Sequence, residues 1–177
     1  MELTDAERRL LVGWAAGCAE HVLPLFAAAS PADTRPRQAI DGARAYAGGA
    51  KRTAHLRTLV SAAYAAAREA AGPAATAAAR AAGVAAGCTY MHDQVTPDQM
   101  KHALGPALYA ALAREAAAAG DPTAADAEIR WAIDHASPAV RALIRRLPAR
   151  SIGRTRQDAL YFQLDAGLRG GDEGMRG

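Results

Sequence analysis

The sequence predicts an all-α fold, an array of seven or eight short alanine-rich helices in a single domain. Of its 177 residues, 49 are alanine, the residue with the highest helix propensity. Valine and isoleucine together number 11, and aromatic residues make up 5%, which argues against a sheet-dominated fold. This length suits one helical domain, 1–169, followed by a glycine-rich charged tail, 170–177, that we expect to be disordered.

Four helices are predicted in the first half of the chain, with limits set by capping residues and by glycine and proline. The first begins at Thr4 or Asp5, the second at Asp33 or Thr34, the third spans Lys51–Ala71 and the fourth Ala74–Met91. Apolar residues at three- and four-residue spacing predict the buried face of the first helix, namely Leu10, Leu11, Trp14, Cys18, Val22 and Leu25. Pro24 is expected to kink this helix or to end it.

The second half predicts three or four more helices. A fifth helix carries Met100, Leu104 and Leu108 at helical spacing, and we expect a kink at Gly105-Pro106. After residue 122 the apolar residues predict two short helices and a last helix around Leu160–Leu168.

Charge and cysteine content restrict the partners and the compartment. Lys and Arg number 21 against 18 Asp and Glu, a net charge of +3 that does not indicate nucleic-acid binding. The N-terminus is polar and acidic and the two cysteines are 70 positions apart, which predicts a cytoplasmic protein with reduced thiols. Charged residues or glycine interrupt every alanine run, so we expect no membrane span.

Two pairs of side chains have the spacing of weak metal-ligand candidates. Cys18 and His21, and Cys88 and His92, each lie on one helical face. Each cysteine also falls on the apolar stripe of its helix, and free cysteine is among the most buried residue types. We therefore favour a core role for the cysteines and expect no metal and no cofactor.

Weak catalytic candidates lie around the fourth connection. His92 and His102 lie near Asp93 and Asp98, and Tyr90 precedes them. Histidine beside a carboxylate is suited to general acid–base chemistry. A polar turn between helices favours the same residue types, and no recognised nucleophile motif accompanies them. Whether the protein is an enzyme is left open.

Two arginine-rich segments are candidate binding surfaces. Arg37, Asp41 and Arg44 lie at i, i+4 and i+7, with Arg35 two residues before Arg37, which predicts either an arginine–carboxylate ladder or an anion-binding face. The C-terminal third is also basic, through Arg141, Arg145, Arg146, Arg150, Arg154 and Arg156. An exposed ladder stabilises a protein by only a few tenths of a kcal/mol. Bidentate arginine beside a capping aspartate commonly fastens a loop to a helix, so we favour a structural role for this cluster over a binding role.

The segments Trp14–Phe26, Asp33–Ile40 and Ala43–Tyr46 carry a family resemblance. Together with alanine–arginine strings of the middle helices, they resemble the small all-helical putative immunity protein family of actinomycetes, over about Glu7–Leu112. The resemblance implies a cytoplasmic protein that binds and neutralises a protein toxin, and it assigns no catalytic residues.

Two functional hypotheses follow. In the first, an immunity-type protein binds a partner protein through Arg35, Arg37, Asp41 and Arg44 or through the basic C-terminal third. In the second, a helical small-molecule-binding protein or an enzyme of specialised metabolism uses a pocket between helices. That pocket would be lined by Trp14, Tyr64, Tyr90, His92, His102 and Tyr109. The sequence leaves the oligomeric state open.

Overall fold

Eight α-helices, and no strand, occur in the computed structural model, which describes residues 2–149 and 153–170. The helices are α1 Asp5–Ala29, α2 Arg35–Ala47, α3 Ala54–Glu69, α4 Pro73–Gly87, α5 Met100–Ala117, α6 Pro122–Asp134, α7 Pro138–Arg146 and α8 Arg156–Gly170. The all-α prediction is confirmed. Of the predicted tail 170–177, Gly170 closes α8 and residues 171–177 lie outside the described residues.

The centre of the molecule is formed by α1, α4 and α5, each of which packs against the other two. Small side chains let these helices approach closely: a Cβ added at Gly105 of α5 would lie 2.9 Å from Val84 Cγ1 of α4. Larger apolar side chains such as Leu11 and Leu104 are fully buried between the helices. Each such burial contributes about 1.5–3 kcal/mol, so these few residues supply much of the core energy.

Helix α1 is longer and less uniformly buried than its sequence suggested. A capping box between Thr4 and Glu7 begins it, and it continues through Pro24 to Ala29. Of the two effects expected of Pro24, a kink or a helix end, the second is wrong. The proline lies on the exposed face, where water can bond the carbonyl it leaves unpaired. Leu10, expected in the core, is 43% exposed.

The expectation that no segment is apolar enough to span a membrane is corrected by α1. By length and composition, α1 is the one helix of the described residues that qualifies as a candidate span. In the folded chain 56% of the qualifying window is buried, and α1 packs against α2, α4 and α5. Burial in the core accounts for its apolar composition.

Both middle helices end differently from their predicted limits. Helix α3 begins after Thr53, whose side chain accepts a hydrogen bond from the Leu56 amide, and it ends at Glu69. In the connection that follows, Gly72 has a positive φ of +86°. Helix α4 ends at Gly87, and a 3-10 turn, Cys88–Tyr90, replaces the predicted helix to Met91. The fifth helix, in contrast, passes through Gly105-Pro106 without a break.

The connection from α4 to α5 is fastened to α1. Arg8 is 1% exposed, donates to the Met91 carbonyl over 3.1 Å and pairs with Asp5 and Asp93. The Leu3 amide donates to the Asp93 carbonyl over 2.7 Å. These contacts position the residues that follow the 3-10 turn.

Arginines of the C-terminal third hold α7 and α8 to the rest of the fold. Arg141 donates to the carbonyls of Ile133 and Ala136, at the end of α6. Arg146 pairs with Glu7, Arg156 with Glu115, and Arg145 donates to the Arg169 carbonyl. Arg150 lies outside the described residues. These guanidinium groups therefore serve contacts within the chain.

Candidate functional site

A cleft of about 420 Å³ opens between α1, α2 and α6. Its lining residues are Gly13, Trp14, Gly17, Cys18, Glu20, His21, Arg44, Trp131 and His135. Among the residues singled out in the sequence, Trp14, Cys18, His21 and Arg44 meet here. The cleft is built mainly from one face of α1 and the last turns of α6.

One wall of the cleft is a stack of three rings. His21 lies parallel to Trp131 with ring centroids 3.7 Å apart and an interplanar angle of 3°, and His135 also stacks on Trp131, with ring centroids 3.9 Å apart and an interplanar angle of 22°. Trp131 lies in the last turn of α6 and His135 caps its end, four residues later, so both side chains lie on the same side of this helix end. The second tryptophan, Trp14, is held by a 3.0 Å hydrogen bond from its Nε1 to the Ala132 carbonyl.

Behind the stack, a buried carboxylate orients His21. Glu128 is 3% exposed, and its Oε1 lies 2.7 Å from His21 Nδ1. Arg114 Nε donates to Glu128 Oε2 over 3.1 Å, and Arg114 Nη2 donates to the His21 carbonyl over 3.0 Å. Because an ionised carboxylate only accepts hydrogen bonds, His21 carries its proton on Nδ1.

The arginines of the predicted ladder form ion pairs at the rim of the cleft. Arg37 and Arg44 both pair with Glu20 of α1, and the Arg44 hydrogen bonds lower the pKa of that carboxyl group. Asp41 is exposed and is absent from this network. Arg35 pairs separately with Asp33 and Glu69. The three arginines thus bind carboxylates within the chain, which weakens the case for this face as a free anion-binding surface.

A second depression, here called the cationic groove, lies beside α3, α4 and the start of α5. Its larger part holds about 590 Å³ and is lined by Arg52, Arg57, Val60, Ser61, Tyr64, Gly87, Tyr90, His92 and His102. An adjoining part of about 300 Å³ shares four of these residues and adds Met91, Asp98, Gln99 and Lys101. Four residues predicted to line a pocket, Tyr64, Tyr90, His92 and His102, therefore lie together.

Contacts at the groove leave its cations largely available. The Arg57 guanidinium lies over the Tyr90 ring, 4.6 Å from its centroid, and Arg52 donates to the Thr89 carbonyl. The Tyr90 hydroxyl donates to the Thr53 carbonyl over 2.9 Å. No described carboxylate lies within ion-pair distance of Arg52, Arg57 or Lys101.

The groove also contains the weak catalytic candidates Tyr90, His92 and His102. Partial burial, then the neighbouring Lys101, lowers the pKa of His102. Burial raises the pKa of Cys88 to about 12, and its thiol donates to the His102 carbonyl, so this cysteine is protonated and unsuited to nucleophilic attack near neutral pH. The groove therefore offers proton-transfer groups without an activated thiol.

The weak metal candidates do not converge on one centre. Across the described part of the chain, no group of three or more His, Cys, Asp or Glu residues is arranged to hold a metal ion. Cys18 and Cys88 are buried in the core, which raises the pKa of both thiols. His21 is hydrogen-bonded to Glu128, and His92 lines the cationic groove.

The residues that line the two depressions differ in part from those predicted from the sequence. Tyr109 is half-buried against the core and lines neither the cleft nor the groove. Sequence patterns did not single out Arg114, Glu128, Trp131 and His135 at the cleft, or Arg52, Arg57 and Lys101 at the groove. Arg57, Ser61 and Tyr64 at i, i+4 and i+7 carried a local signal. The cleft residues carried none beyond Trp131 and His135, because their partners come from distant helices.

Comparison with known proteins identifies the family. The model of the family described as "Imm-5 like putative immunity protein" matches residues 1–139, which span α1–α6 and the first two residues of α7. The chain belongs to this family, as its resemblance in sequence predicted. No curated protein and no solved structure shows significant similarity to it.

Proposed function

We propose that this protein neutralises a protein toxin in the cytoplasm by binding it, and that the cationic groove receives an acidic segment of that toxin. Family membership supports an immunity-like role. The observation that carries the choice of surface is the set of cations at the groove that have no carboxylate partner among the described residues. Of the two surfaces first predicted, the α2 ladder uses arginines that already have carboxylate partners within the chain, and so do Arg146 and Arg156 of the C-terminal third.

Charge complementarity supports an acidic occupant. Arg52, Arg57 and Lys101 line the groove with a single lining carboxylate, Asp98. Complementary charge increases the rate of association and aligns two surfaces, and it disfavours partners of the wrong sign. An acidic segment would also replace the water that now solvates these exposed cations.

The aromatic side chains of the groove suit a protein interface. Tyr64 and Tyr90 are both half-buried, so each is held by its neighbours and still presents part of its ring. Tyrosine and arginine are enriched among the residues that dominate binding energy at interfaces. With Arg57 over Tyr90, the groove presents both types side by side.

The test uses toxin domains encoded beside this gene in its source genome. Each is co-expressed with the immunity protein, growth is scored, and the affinity of a neutralised pair is measured by calorimetry. We expect Arg57→Glu and Lys101→Glu each to weaken binding about tenfold, because each replaces an attraction with a repulsion. Arg130→Glu, the same change at an exposed position of α6 outside the groove, is the matched control.

The outcomes separate the parts of the proposal. Failure of any neighbouring toxin to be bound or neutralised would contradict the immunity function. Neutralisation that both groove variants leave unchanged would keep the function and exclude the groove as its surface. A small molecule retained in the groove, seen by native mass spectrometry of the protein from its host, would favour the alternative hypothesis of a small-molecule-binding protein.

A further inference from the structure

The cleft between α1, α2 and α6 has features that toxin binding at the groove does not use. The two depressions have no lining residue in common. We propose that the cleft binds a small planar aromatic molecule that donates a hydrogen bond, the chemistry of a phenol or an indole. The proposal goes beyond the immunity function and is independent of it.

The walls define the aromatic part of this ligand. The cleft is lined by both tryptophans of the chain, Trp14 and Trp131, and by two imidazoles stacked on Trp131. Small-molecule sites are concave, mostly apolar and typically 300–1,000 Å³, and the cleft holds about 420 Å³. Flat rings favour contact with flat rings, in stacked or edge-to-face arrangements.

The hydrogen-bonding pattern defines the polar part. His21 uses Nδ1 to donate to Glu128, and His135 Nδ1 lies 2.8 Å from the Trp131 carbonyl, to which it donates. When Nδ1 of an imidazole is the donor, Nε2 is the acceptor of the neutral ring, and neither Nε2 has a hydrogen-bond partner among the described residues. A ligand that satisfies these acceptors must donate, as a phenol or an indole does.

The cost of fixing His21 supports a binding role for it. Glu128 is a buried carboxylate, and burying a charge is unfavourable unless partners compensate it. Here Arg114 and His21 supply the compensation. The same arrangement fixes the imidazole tautomer and its orientation, as carboxylates do where a histidine contacts a ligand.

Two glycines keep the floor of the cleft open. Gly13 and Gly17 lie in the interior of α1, where glycine is less favourable than alanine. A Cβ at Gly17 would meet only Arg44 Nη2, at 4.0 Å, and a Cβ at Gly13 only Ala47 Cβ, at 3.6 Å. Packing would thus admit alanine, the commonest residue of this chain. Their absent side chains give a ligand direct access to the helix backbone.

The test begins with the wild-type protein and two probes that differ in one hydrogen-bond donor. They are p-cresol and its methyl ether, 4-methylanisole, titrated while tryptophan fluorescence is excited where neither probe absorbs. Since both tryptophans line the cleft, the signal reports on this site. We expect saturable binding of p-cresol and about five- to tenfold weaker binding of the ether, which cannot donate to Nε2.

A variant pair then locates the site. Gly17→Leu places a side chain into the cleft and is expected to weaken p-cresol binding at least tenfold. Ala159→Leu, the control, adds a leucine at an exposed position of α8 and leaves binding unchanged. The proposal is overturned if p-cresol does not bind saturably, if the ether binds equally well, or if Gly17→Leu binds like wild type. Should Gly17→Leu fail to fold by circular dichroism, the same probe comparison is repeated with Gly17→Val.

Discussion

The cleft and the cationic groove differ in how their charges are satisfied. At the cleft, Glu20 and Arg44 on the rim and Glu128 behind the wall all have partners of opposite sign. At the groove, Arg57 and Lys101 have no described carboxylate within ion-pair distance. The chain as a whole is close to balanced, with 21 basic and 18 acidic residues. The position of a cation relative to carboxylates, rather than the number of cations, therefore marks the surface suited to an acidic partner.

The largest expected contrast is in stability. Arg114→Ala leaves Glu128 buried with His21 as its one remaining partner, and we expect it to lower the free energy of unfolding by about 3 kcal/mol. Arg57→Ala removes an exposed cation that pairs with no described carboxylate and should change that free energy by less than about 0.5 kcal/mol. Urea unfolding of both variants measures the difference. Similar losses in the two variants would contradict the comparison.

A glycine at the α4–α5 contact shows what packing alone demands. A Cβ at Gly105 would lie 2.9 Å from Val84, closer than side chains tolerate. We expect Gly105→Ala to destabilise the fold by about 1–3 kcal/mol, because the two helices must move apart or Val84 must change rotamer. Thermal unfolding checks this value, and an unchanged midpoint would show that the contact is looser than described.

The glycine on the cleft floor should respond in the opposite direction. Gly17→Ala gains helix propensity without a steric conflict, and we expect it to stabilise the protein by about 0.5–1 kcal/mol. Urea unfolding alongside Gly105→Ala provides the measurement. A loss of stability would mean that packing requires Gly17, and the glycine would then no longer support a ligand site.

The smallest expected effect is on the pH dependence of stability, because the two regions lose stability at different pH values as the solution is acidified. The folded pKa of His102 in the groove is lowered from 6.5, so its contribution to stability is present above that pH and is lost as the pH falls below it. The pKa of Glu20 at the cleft is lowered from 4.5, so its contribution is lost only below that value. Urea midpoints across this pH range should therefore fall in two steps. His102→Asn should remove the first step and leave the second; loss of both steps would contradict the assignment.

Part of the site was predictable because Tyr90, His92 and His102 are close in sequence, around the α4–α5 connection. Tyr64, Tyr90, His92 and His102 were predicted to share a pocket and they line the groove. Trp14 and Tyr109, assigned to the same pocket, do not reach it. Helical periodicity shows which residues share a face of one helix, but it does not show which faces of different helices meet.

The sequence by itself determined the fold class and the starts of several helices, since alanine favours helix while Thr53, Gly72 and other capping or breaking residues act on adjacent backbone. Tertiary structure alone decided the ion pairs and the cleft. Arg37 and Arg44 pair with Glu20 on α1 and not with Asp41, which lies on the same helix as the two arginines. His21 contacts Glu128, which is 107 positions away in the sequence. The physical reason is that capping acts within one helical turn, whereas these contacts depend on how the helices pack against one another.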